Sequence, residues 1–282
     1  RPPRSTLFPY TTLFRSDGNQ QKAVNLDAPS IELYYKNGTR FMINLTDENG
    51  NGLANQTVSI LINGVTYNKI TDENGSTSIG INLYSGLYHV TVSYKGTTEY
   101  APASITSDIN VLPTIKGEDI VMIYKDGTSY HATFLDGRGN PLINATVRFN
   151  INGVIYEKRT NDKGTANLTI SLYPGNYILT AYHPNGEAKG YNISVLTTLI
   201  DNKDIDMYYR DGTAFAITVL DGQGKPLANA AVRFNVNGVF YDKITDENGI
   251  AKLGIRLYPN NYIITSSYNG LEVSNRINVS SS

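Results

Sequence analysis

From residue 29 onward, apolar residues alternate with polar or small ones along the chain. Ile79, Ile81 and Leu83, for example, are separated by Gly and Asn. A period of two places one face of a strand on a core and the other in water, which is typical of antiparallel sheets. The 3.6-residue period of an amphipathic helix is not seen in this sequence. The pattern therefore predicts an all-β fold.

Turn signals divide this pattern into three copies. Corresponding pairs recur at steps of 89 and 85 residues: Asn37-Gly38, Asp126-Gly127 and Asp211-Gly212. A second set of Asn-Gly pairs keeps the same spacing, beginning with Asn63-Gly64. Either pair between two alternating runs predicts a β-hairpin. Short strands with turns every 8–12 residues are typical of an immunoglobulin-like sandwich, so we expect about seven strands in each copy.

The copies set the expected domain organisation. The links between them carry no long Ser, Gly or Pro run, so we expect three tandem immunoglobulin-like sandwiches in an elongated, semi-rigid array. The predicted domains are residues 29–115, 116–200 and 201–282. Residues 17–28 are interpreted as a linker or as the remnant of a preceding repeat.

The first sixteen residues differ from the rest. Residues 1–16, RPPRSTLFPYTTLFRS, match nothing later in the chain and resemble a translated sequencing adapter. The alternative is a genuine leader or disordered segment. We favour the artefact and exclude these residues from the fold. The missing signal peptide is then uninformative.

One motif recurs between two alternating runs in every copy. It reads Leu83-Tyr84-Ser85-Gly86-Leu87-Tyr88 in the first copy. Ser or Pro followed by Gly or Asn suits a type II turn. The last Tyr of each copy then begins a strand and is predicted to be a buried tyrosine corner, with its hydroxyl bonded to the backbone: Tyr88, Tyr177 and Tyr262. An ordinary corner turn with a buried Tyr is the alternative, and strict alternation places Tyr173 outward.

Composition excludes several classes of function. The 24 basic and 25 acidic residues give a net charge of −1, which argues against a nucleic-acid or anionic-membrane surface. The absence of Cys excludes disulfides and thiolate chemistry. No apolar run approaches the roughly 20 residues that span a bilayer, so we expect no membrane insertion.

The sequence offers little catalytic or metal-binding chemistry. The three histidines, His89, His131 and His183, do not recur between copies, and the first two should face outward. No nucleophile or paired carboxylate accompanies them, so we predict no enzymatic activity and no cofactor. The turn at Asp47 imitates the start of an EF-hand loop, but Val58 occupies the twelfth position where Glu is needed. We favour a plain Asx turn, with Ca²⁺ at a domain junction left open.

Three further patterns have competing interpretations. A lysine recurs at Lys69, Lys158 and Lys243, and an edge strand kept soluble is favoured over an isopeptide crosslink. The 21 tyrosines could form sugar-stacking surfaces, but core and corner positions account for most. Candidate N-glycosylation sites are the Asn-x-Ser/Thr residues Asn37, Asn44, Asn55, Asn74, Asn144, Asn167, Asn192 and Asn278.

These motifs carry a family resemblance over residues 29–282. The turn Thr71-Asp72-Glu73-Asn74-Gly75 and the Leu-Tyr-Pro-Gly-x-Tyr motif resemble the tandem immunoglobulin-like repeats of prokaryotic surface adhesins, including archaeal adhesin-like proteins and invasin/intimin-type domains. The resemblance implies extracellular display at the cell surface and no catalysis, and no site residue transfers with it. The function it implies is a stalk that displays another domain.

Two other functions remain open at this point. The first is a binding module that recognises cell-surface glycans or proteins of a host or neighbouring cell. The second is a set of accessory domains in an extracellular polysaccharide-degrading enzyme, which would need a catalytic domain elsewhere in the gene.

Overall fold

The computed structural model describes residues 21–281. Within this range the regular structure is entirely strand. The interpretation of residues 1–16 lies outside the described residues, as do residues 17–20 of the expected linker.

Twenty-four strands fall into three groups of eight. The first group is β1 (Val24–Asp27), β2 (Ile31–Tyr34), β3 (Arg40–Asp47), β4 (Thr57–Ile62), β5 (Val65–Ile70), β6 (Ser76–Gly80), β7 (Gly86–Tyr94) and β8 (Ala103–Leu112). The second is β9 (Ile115–Lys116), β10 (Ile120–Ile123), β11 (Ser129–Phe134), β12 (Thr146–Ile151), β13 (Val154–Arg159), β14 (Thr165–Thr169), β15 (Gly175–Tyr182) and β16 (Ala188–Leu196). The third is β17 (Leu199–Ile200), β18 (Ile205–Tyr208), β19 (Ala214–Val219), β20 (Ala231–Val236), β21 (Val239–Ile244), β22 (Ile250–Gly254), β23 (Asn260–Tyr268) and β24 (Leu271–Ser280).

Each group forms two sheets with the same topology. In the first group a three-stranded sheet has the order β1-β3-β6, and a five-stranded sheet has the order β2-β8-β7-β4-β5. The second and third groups repeat these orders strand for strand. Two such sheets packed around one core make an immunoglobulin-like β-sandwich. The predicted all-β fold of three tandem sandwiches is confirmed.

The first predicted strand is in fact two. β1 pairs with β3 in one sheet, whereas β2 pairs with β8 in the other. The stretch 17–28, expected to be a linker or the remnant of a preceding repeat, therefore contributes Val24–Asp27 to the first sandwich, and β17 likewise joins β19 ahead of residue 201. Eight strands replace the expected seven because the chain changes sheets at this point.

The first Asn-Gly or Asp-Gly turn of each copy does not close a hairpin. It lies between β2 and β3, which belong to different sheets, so that prediction was wrong. The second turn is a true hairpin, since β4 and β5 pair antiparallel up to Ile62 and Val65. Asn63 and Gly64 have φ of 48° and 74°, which fits the type I′ turn that this dipeptide favours.

The core of each sandwich is built from the inward residues of both sheets. In the second sandwich, Tyr130, Phe134 and Phe149 are fully buried, and Phe149 contacts each of the other two rings edge-on. The alternating residues that predicted inward faces, such as Leu168 and Ile170, are also buried. The hydrophobic periodicity therefore assigned the faces of the strands correctly.

The chain forms two compact units, divided between Pro113 and Thr114. The first unit contains one sandwich, and the second contains the other two. Within residues 21–281 we find no helix that is both long and apolar enough to cross a membrane.

A buried threonine ties each five-stranded sheet to the turn before β4. In the second sandwich, Thr160 Oγ1 accepts a hydrogen bond from Ala145 N at 2.9 Å and donates to Leu142 O at 2.5 Å. Thr71 and Thr245 make the same pair of contacts in the other sandwiches. This explains the Thr that precedes the Asp-Glu-Asn-Gly turn.

We predict that Thr160→Val lowers the free energy of unfolding of the second sandwich by about 1–3 kcal/mol, because a part-buried amide and a part-buried carbonyl lose their partner. Urea unfolding of the full chain measures the change. Thr169→Val, at an exposed position in the same sandwich, is the control and should change the midpoint little. Equal effects of the two substitutions would contradict the assignment.

Candidate functional site

Three tyrosine hydroxyls bond back to the corner that precedes their strand. Tyr88 donates to Tyr84 O and Tyr177 donates to Tyr173 O, both at 2.8 Å. Tyr262 donates to Tyr258 O at 3.0 Å. Each hydroxyl thus closes a loop of four residues at the entry to β7, β15 or β23.

Two details of the expected corner were wrong. All three tyrosines are half-buried and not buried, because they stand at the open end of the sandwich. A type II turn would place its third residue near φ +80°, but Gly86 and Gly175 have φ of 155° and 156°, and Asn260 does not have a positive φ. Gly86 and Gly175 therefore keep a positive φ that L side chains rarely adopt, but the turn is not of type II.

The other tyrosine of the motif is exposed in every copy and stacks on a second tyrosine. Tyr173 is 62% exposed and stacks on Tyr124, with ring centroids 5.7 Å apart. Tyr84 stacks on Tyr35 and Tyr258 on Tyr209 in the same way. The outward direction of Tyr173 agrees with strict alternation.

A cation lies over the inner tyrosine of each stack. Lys125 Nζ is 5.2 Å from the centroid of Tyr124, and Arg210 Cζ is 5.0 Å from that of Tyr209. Lys36 takes this position over Tyr35. The inner tyrosine and the cation both lie in the turn between the two sheets, which we call the switch turn (residues 34–38, 123–127 and 208–212).

Within the second unit, the switch turn of the second sandwich contacts two turns of the third. Lys125 Nζ donates to Asn269 O at 2.7 Å. A Cβ placed on Gly222 would lie 3.4 Å from Asp126 Cα, and one placed on Gly224 would lie 3.3 Å from Ile123 Cδ1. The two turns are therefore in van der Waals contact, and at Gly224 an added Cβ would be tight against the Ile123 side chain. We call this contact the joint.

A buried carboxylate holds the start of the second sandwich. Glu187 is 1% exposed, and its Oε2 accepts hydrogen bonds from Thr114 N at 2.6 Å and Thr114 Oγ1 at 2.5 Å. In the third sandwich, Leu271 takes the place of Glu187, and the hydroxyl of Thr198 is buried without a partner among the described residues. The carboxylate is therefore particular to one copy.

His183 lies beside this carboxylate and is buried. Its Nε2 donates to Leu135 O at 2.8 Å, and its Nδ1 accepts from Asn185 N at 2.9 Å. These two partners require a neutral ring with the proton on Nε2. Burial lowers the pKa of His183, against smaller opposing effects from its hydrogen bonds and from Glu187.

The other two histidines are exposed, as expected. His89 Nδ1 lies 2.7 Å from Asp108 Oδ1, and His131 Nδ1 lies 2.7 Å from Asn167 Oδ1. All three histidines thus have contacts that account for them without a reaction.

The Asp-rich turn before β4 is an Asx turn in every copy. Asp47 Oδ1 accepts hydrogen bonds from Asn49 N and Asn51 N at 2.9 and 2.8 Å. Asp136 and Asp221 make the same contacts. The hydrogen bond from the Asn51 side chain is the largest effect that lowers the pKa of Asp47. Among residues 21–281, no three His, Cys, Asp or Glu side chains gather where they could hold a metal ion.

The lysine-bearing strands β5, β13 and β21 form the outer edge of each five-stranded sheet. Lys69 and Lys158 are half-buried and Lys243 is exposed. The edge also exposes apolar residues, of which Phe240 is 62% exposed. The predicted position on an edge strand is confirmed.

The eight candidate glycosylation sites lie at the surface. Asn44 and Asn278 are half-buried and the others are exposed: Asn37, Asn55, Asn74, Asn144, Asn167 and Asn192. A glycan attaches to the side-chain nitrogen, and Nδ2 of Asn192 and of Asn278 donates to Asp119 and Asp206 respectively. Glycans at these two sites would cost a strand-to-strand contact. Glycosylation itself stays a prediction.

The fold and its repeated corner define the chain as a tandem array of immunoglobulin-like sandwiches. No family model matches the sequence. Similar solved structures include a bacterial ice-binding adhesin, 14% identical over 93% of this chain and 98% of that one, with a TM-score of 0.26. Invasin, a bacterial integrin-binding protein, is 17% identical over 92% and 60% of the two chains, with a TM-score of 0.27.

A glycan-bound protein also appears among these similar structures. It is SGBP-B of Bacteroides ovatus, in complex with a mixed-linkage heptasaccharide, 14% identical over 93% of this chain and 71% of that one, with a TM-score of 0.26. At these TM-scores the superpositions are poor, so the fold assignment depends on the sheet orders described above.

Sequence reasoning missed the joint and the buried carboxylate. The cation after the inner tyrosine recurs as Lys36, Lys125 and Arg210, and this recurrence could have indicated a role. Glu187 has no counterpart in the other copies, so no pattern in the sequence distinguished it from a solvated residue.

We predict that Tyr177→Phe lowers the free energy of unfolding by about 0.5–1.5 kcal/mol, because the half-exposed carbonyl of Tyr173 loses one hydrogen bond but can reach water. Tyr173→Phe keeps the stacked ring and should be nearly neutral. Urea unfolding of the full chain compares the two. An equal or larger loss at Tyr173 would contradict the corner assignment.

We predict that stability falls as pH drops below 6.5, the ordinary pKa of a histidine side chain in water. The folded state holds His183 neutral, whereas the unfolded chain binds a proton there, so acid favours unfolding. The carboxylates whose pKa is lowered, such as that of Asp136, stop contributing to the stability of the folded state only at lower pH. Thermal melts at pH 7.5 and 5.5 should differ for the wild type and differ less for His183→Gln. Identical shifts would contradict the prediction, because the other histidines are common to both proteins.

Proposed function

We propose that the chain is a non-enzymatic stalk or spacer segment of a cell-surface adhesin-like protein. The observation that carries this proposal is the parallel pairing between the second and last strands of each sandwich: β2 with β8, β10 with β16 and β18 with β24. These strands lie next to the entry and the exit of the sandwich. A force applied to the two ends of the chain therefore shears these two strands past each other. Several of the hydrogen bonds between them must then break at the same time.

Side chains reinforce this ladder beyond the backbone bonds. Asp119, just before β10, accepts hydrogen bonds from Asn192 N and Nδ2 on β16, both at 2.8 Å. These bonds, with that from the Asn192 side chain as the largest effect, lower the pKa of Asp119. In the third sandwich, Asp204 accepts from Arg276 N at 2.8 Å and Asp206 from Asn278 Nδ2 at 3.0 Å. Each of these aspartate contacts joins the first and last segments of one sandwich.

The joint within the second unit supports the same role. The Lys125–Asn269 hydrogen bond and the glycine contacts tie consecutive sandwiches by more than the linking peptide. A spacer needs links that resist bending. Extracellular display at a cell surface belongs to this proposal, together with sandwich boundaries that fall just before β9 and β17, slightly ahead of the expected boundaries at residues 115 and 200.

A second candidate function is binding of a glycan or a protein. The edge strands favour it, since β21 alone exposes four large apolar side chains: Val239, Phe240, Tyr241 and Ile244. Exposed apolar groups of this kind are common at interaction sites. Binding on a glycan array that Phe240→Ser abolishes would support this candidate over a pure spacer.

We predict that Asp119→Ala lowers the unfolding force of one sandwich and leaves the other two unchanged. The physical reason is the loss of two hydrogen bonds that cross the loaded ladder, which raises the unfolding rate under force. Single-molecule pulling on the full chain from its two ends measures each unfolding event separately.

Asp162→Ala is the matched control, because Asp162 is exposed in a turn of the same sandwich and makes no side-chain hydrogen bond to a described residue. A force that is unchanged by Asp119→Ala would contradict the proposed role of the ladder. Recovery of the flanking gene sequence tests the wider proposal: a surface-anchoring segment supports it, and an adjacent hydrolase domain opposes it.

A further inference from the structure

The third sandwich carries a switch turn with the same chemistry as the one used in the joint. Arg210 takes the place of Lys125, Tyr209 that of Tyr124 and Asp211 that of Asp126. Asp211 accepts hydrogen bonds from Tyr208 N and Thr213 N at 2.8 Å, which matches the contacts of Asp126 with Ile123 N and Thr128 N. The two turns are therefore built alike.

The two turns differ in what covers them. In the second sandwich, where the third packs on the turn, Tyr124 is 6% exposed and Ile123 is half-buried. In the third sandwich, Tyr209 is half-buried and Tyr208, at the position of Ile123, is 62% exposed. A cleft of about 560 Å³ opens at this turn, lined by residues that include Tyr209, Arg210, Arg256 and Tyr258.

We infer that the switch turn of the third sandwich, residues 208–212, is a docking face for a further immunoglobulin-like repeat that follows in the same polypeptide. The Arg210 guanidinium donates to a backbone carbonyl of that repeat, as the Lys125 ammonium donates to Asn269 O. The side chain of Tyr208 packs on a glycine turn of that repeat, as Ile123 packs on Gly224.

The turns that dock are present in every copy. The glycine that meets Ile123 corresponds to a glycine with positive φ in each sandwich: Gly50, Gly139 and Gly224. The glycine after Asn269 likewise corresponds to a glycine with positive φ in each sandwich: Gly96, Gly186 and Gly270. A positive φ is favourable for glycine and strained for most residues. Each described sandwich therefore has a positive-φ glycine in both docking turns, while Glu48 of the first copy stands where the third has Gly222.

An acidic polysaccharide is the rival occupant of this face. In the described part of the chain, Arg210 and Arg256 form no ion pair with a carboxylate, so uronate groups could bind them. The covered turn of the second sandwich favours the repeat, because it shows the same chemistry already engaged by protein. The outward tyrosine does not decide between them, since Tyr173 stays 62% exposed beside the joint.

A four-repeat chain tests the inference. A second copy of residues 197–282 is joined after Ser280, so that the new link matches the one that follows Leu196, and Tyr208→Phe in the added copy marks its peptide. Hydroxyl-radical footprinting with mass spectrometry then measures labelling of Tyr208 in the third sandwich. We expect labelling to fall severalfold relative to the three-repeat chain, since the joint covers this position.

Two substitutions sharpen the result. Arg210→Ala should restore labelling of Tyr208 in the four-repeat chain and leave it unchanged in the three-repeat chain. Lys125→Ala is the positive control, because it removes the hydrogen bond of the existing joint and should raise labelling of Tyr124 in both chains. A second four-repeat chain, with residues 113–196 added instead, repeats the measurement should the first added copy not fold.

Equal labelling of Tyr208 in the three-repeat chain and in a folded four-repeat chain would overturn the inference. So would binding of polygalacturonate to the three-repeat chain that both Arg210→Ala and Arg256→Ala abolish, since the face would then be a ligand site. The footprinting experiment measures whether Tyr208 is covered by a following repeat, whereas the pulling experiment measures the unfolding force of each sandwich. Failure of this inference is therefore distinguishable from failure of the proposed spacer function.

Discussion

Each sandwich depends on the parallel ladder between its second strand and its last strand. The ladder exists because the chain changes sheets after a short first strand, which brings Ile120–Ile123 beside Ile193–Leu196 in the second sandwich. Without this change the five-stranded sheet would end at its last strand and leave that edge unpaired. The same ladder fixes the position at which the switch turn leaves the sheet.

The end of the sandwich near the switch turn is where several repeated features meet. The inner tyrosine and its cation lie in the switch turn, and the outer tyrosine stacks on them from the corner before β15 or its counterparts. The corner tyrosine, such as Tyr177, holds that corner by a bond to the carbonyl of the outer one. A motif that serves the fold thus also shapes the surface that a neighbouring repeat meets.

Polar groups in this protein mostly serve structure. The Asp of each Asx turn, the buried Thr that follows β5, β13 or β21, and the Asp residues that bond across the parallel ladder all satisfy backbone amides that would otherwise lack partners. Glu187 extends the same use of a carboxylate into the interior of the second sandwich. These polar side chains hold strands and turns together, as the proposed spacer function requires.

The sequence by itself determined the all-β class, the three copies, the faces of the strands and the outward direction of Tyr173. Period-two alternation and glycine turns are local signals, and each strand buries its apolar face whichever strand it pairs with. Only the tertiary structure decided the pairing: the Asp126-Gly127 turn joins two sheets, and β1 pairs with β3 where a linker was expected. The joint and the burial of Glu187 also depend on residues far apart in sequence, between which no local pattern expresses contact.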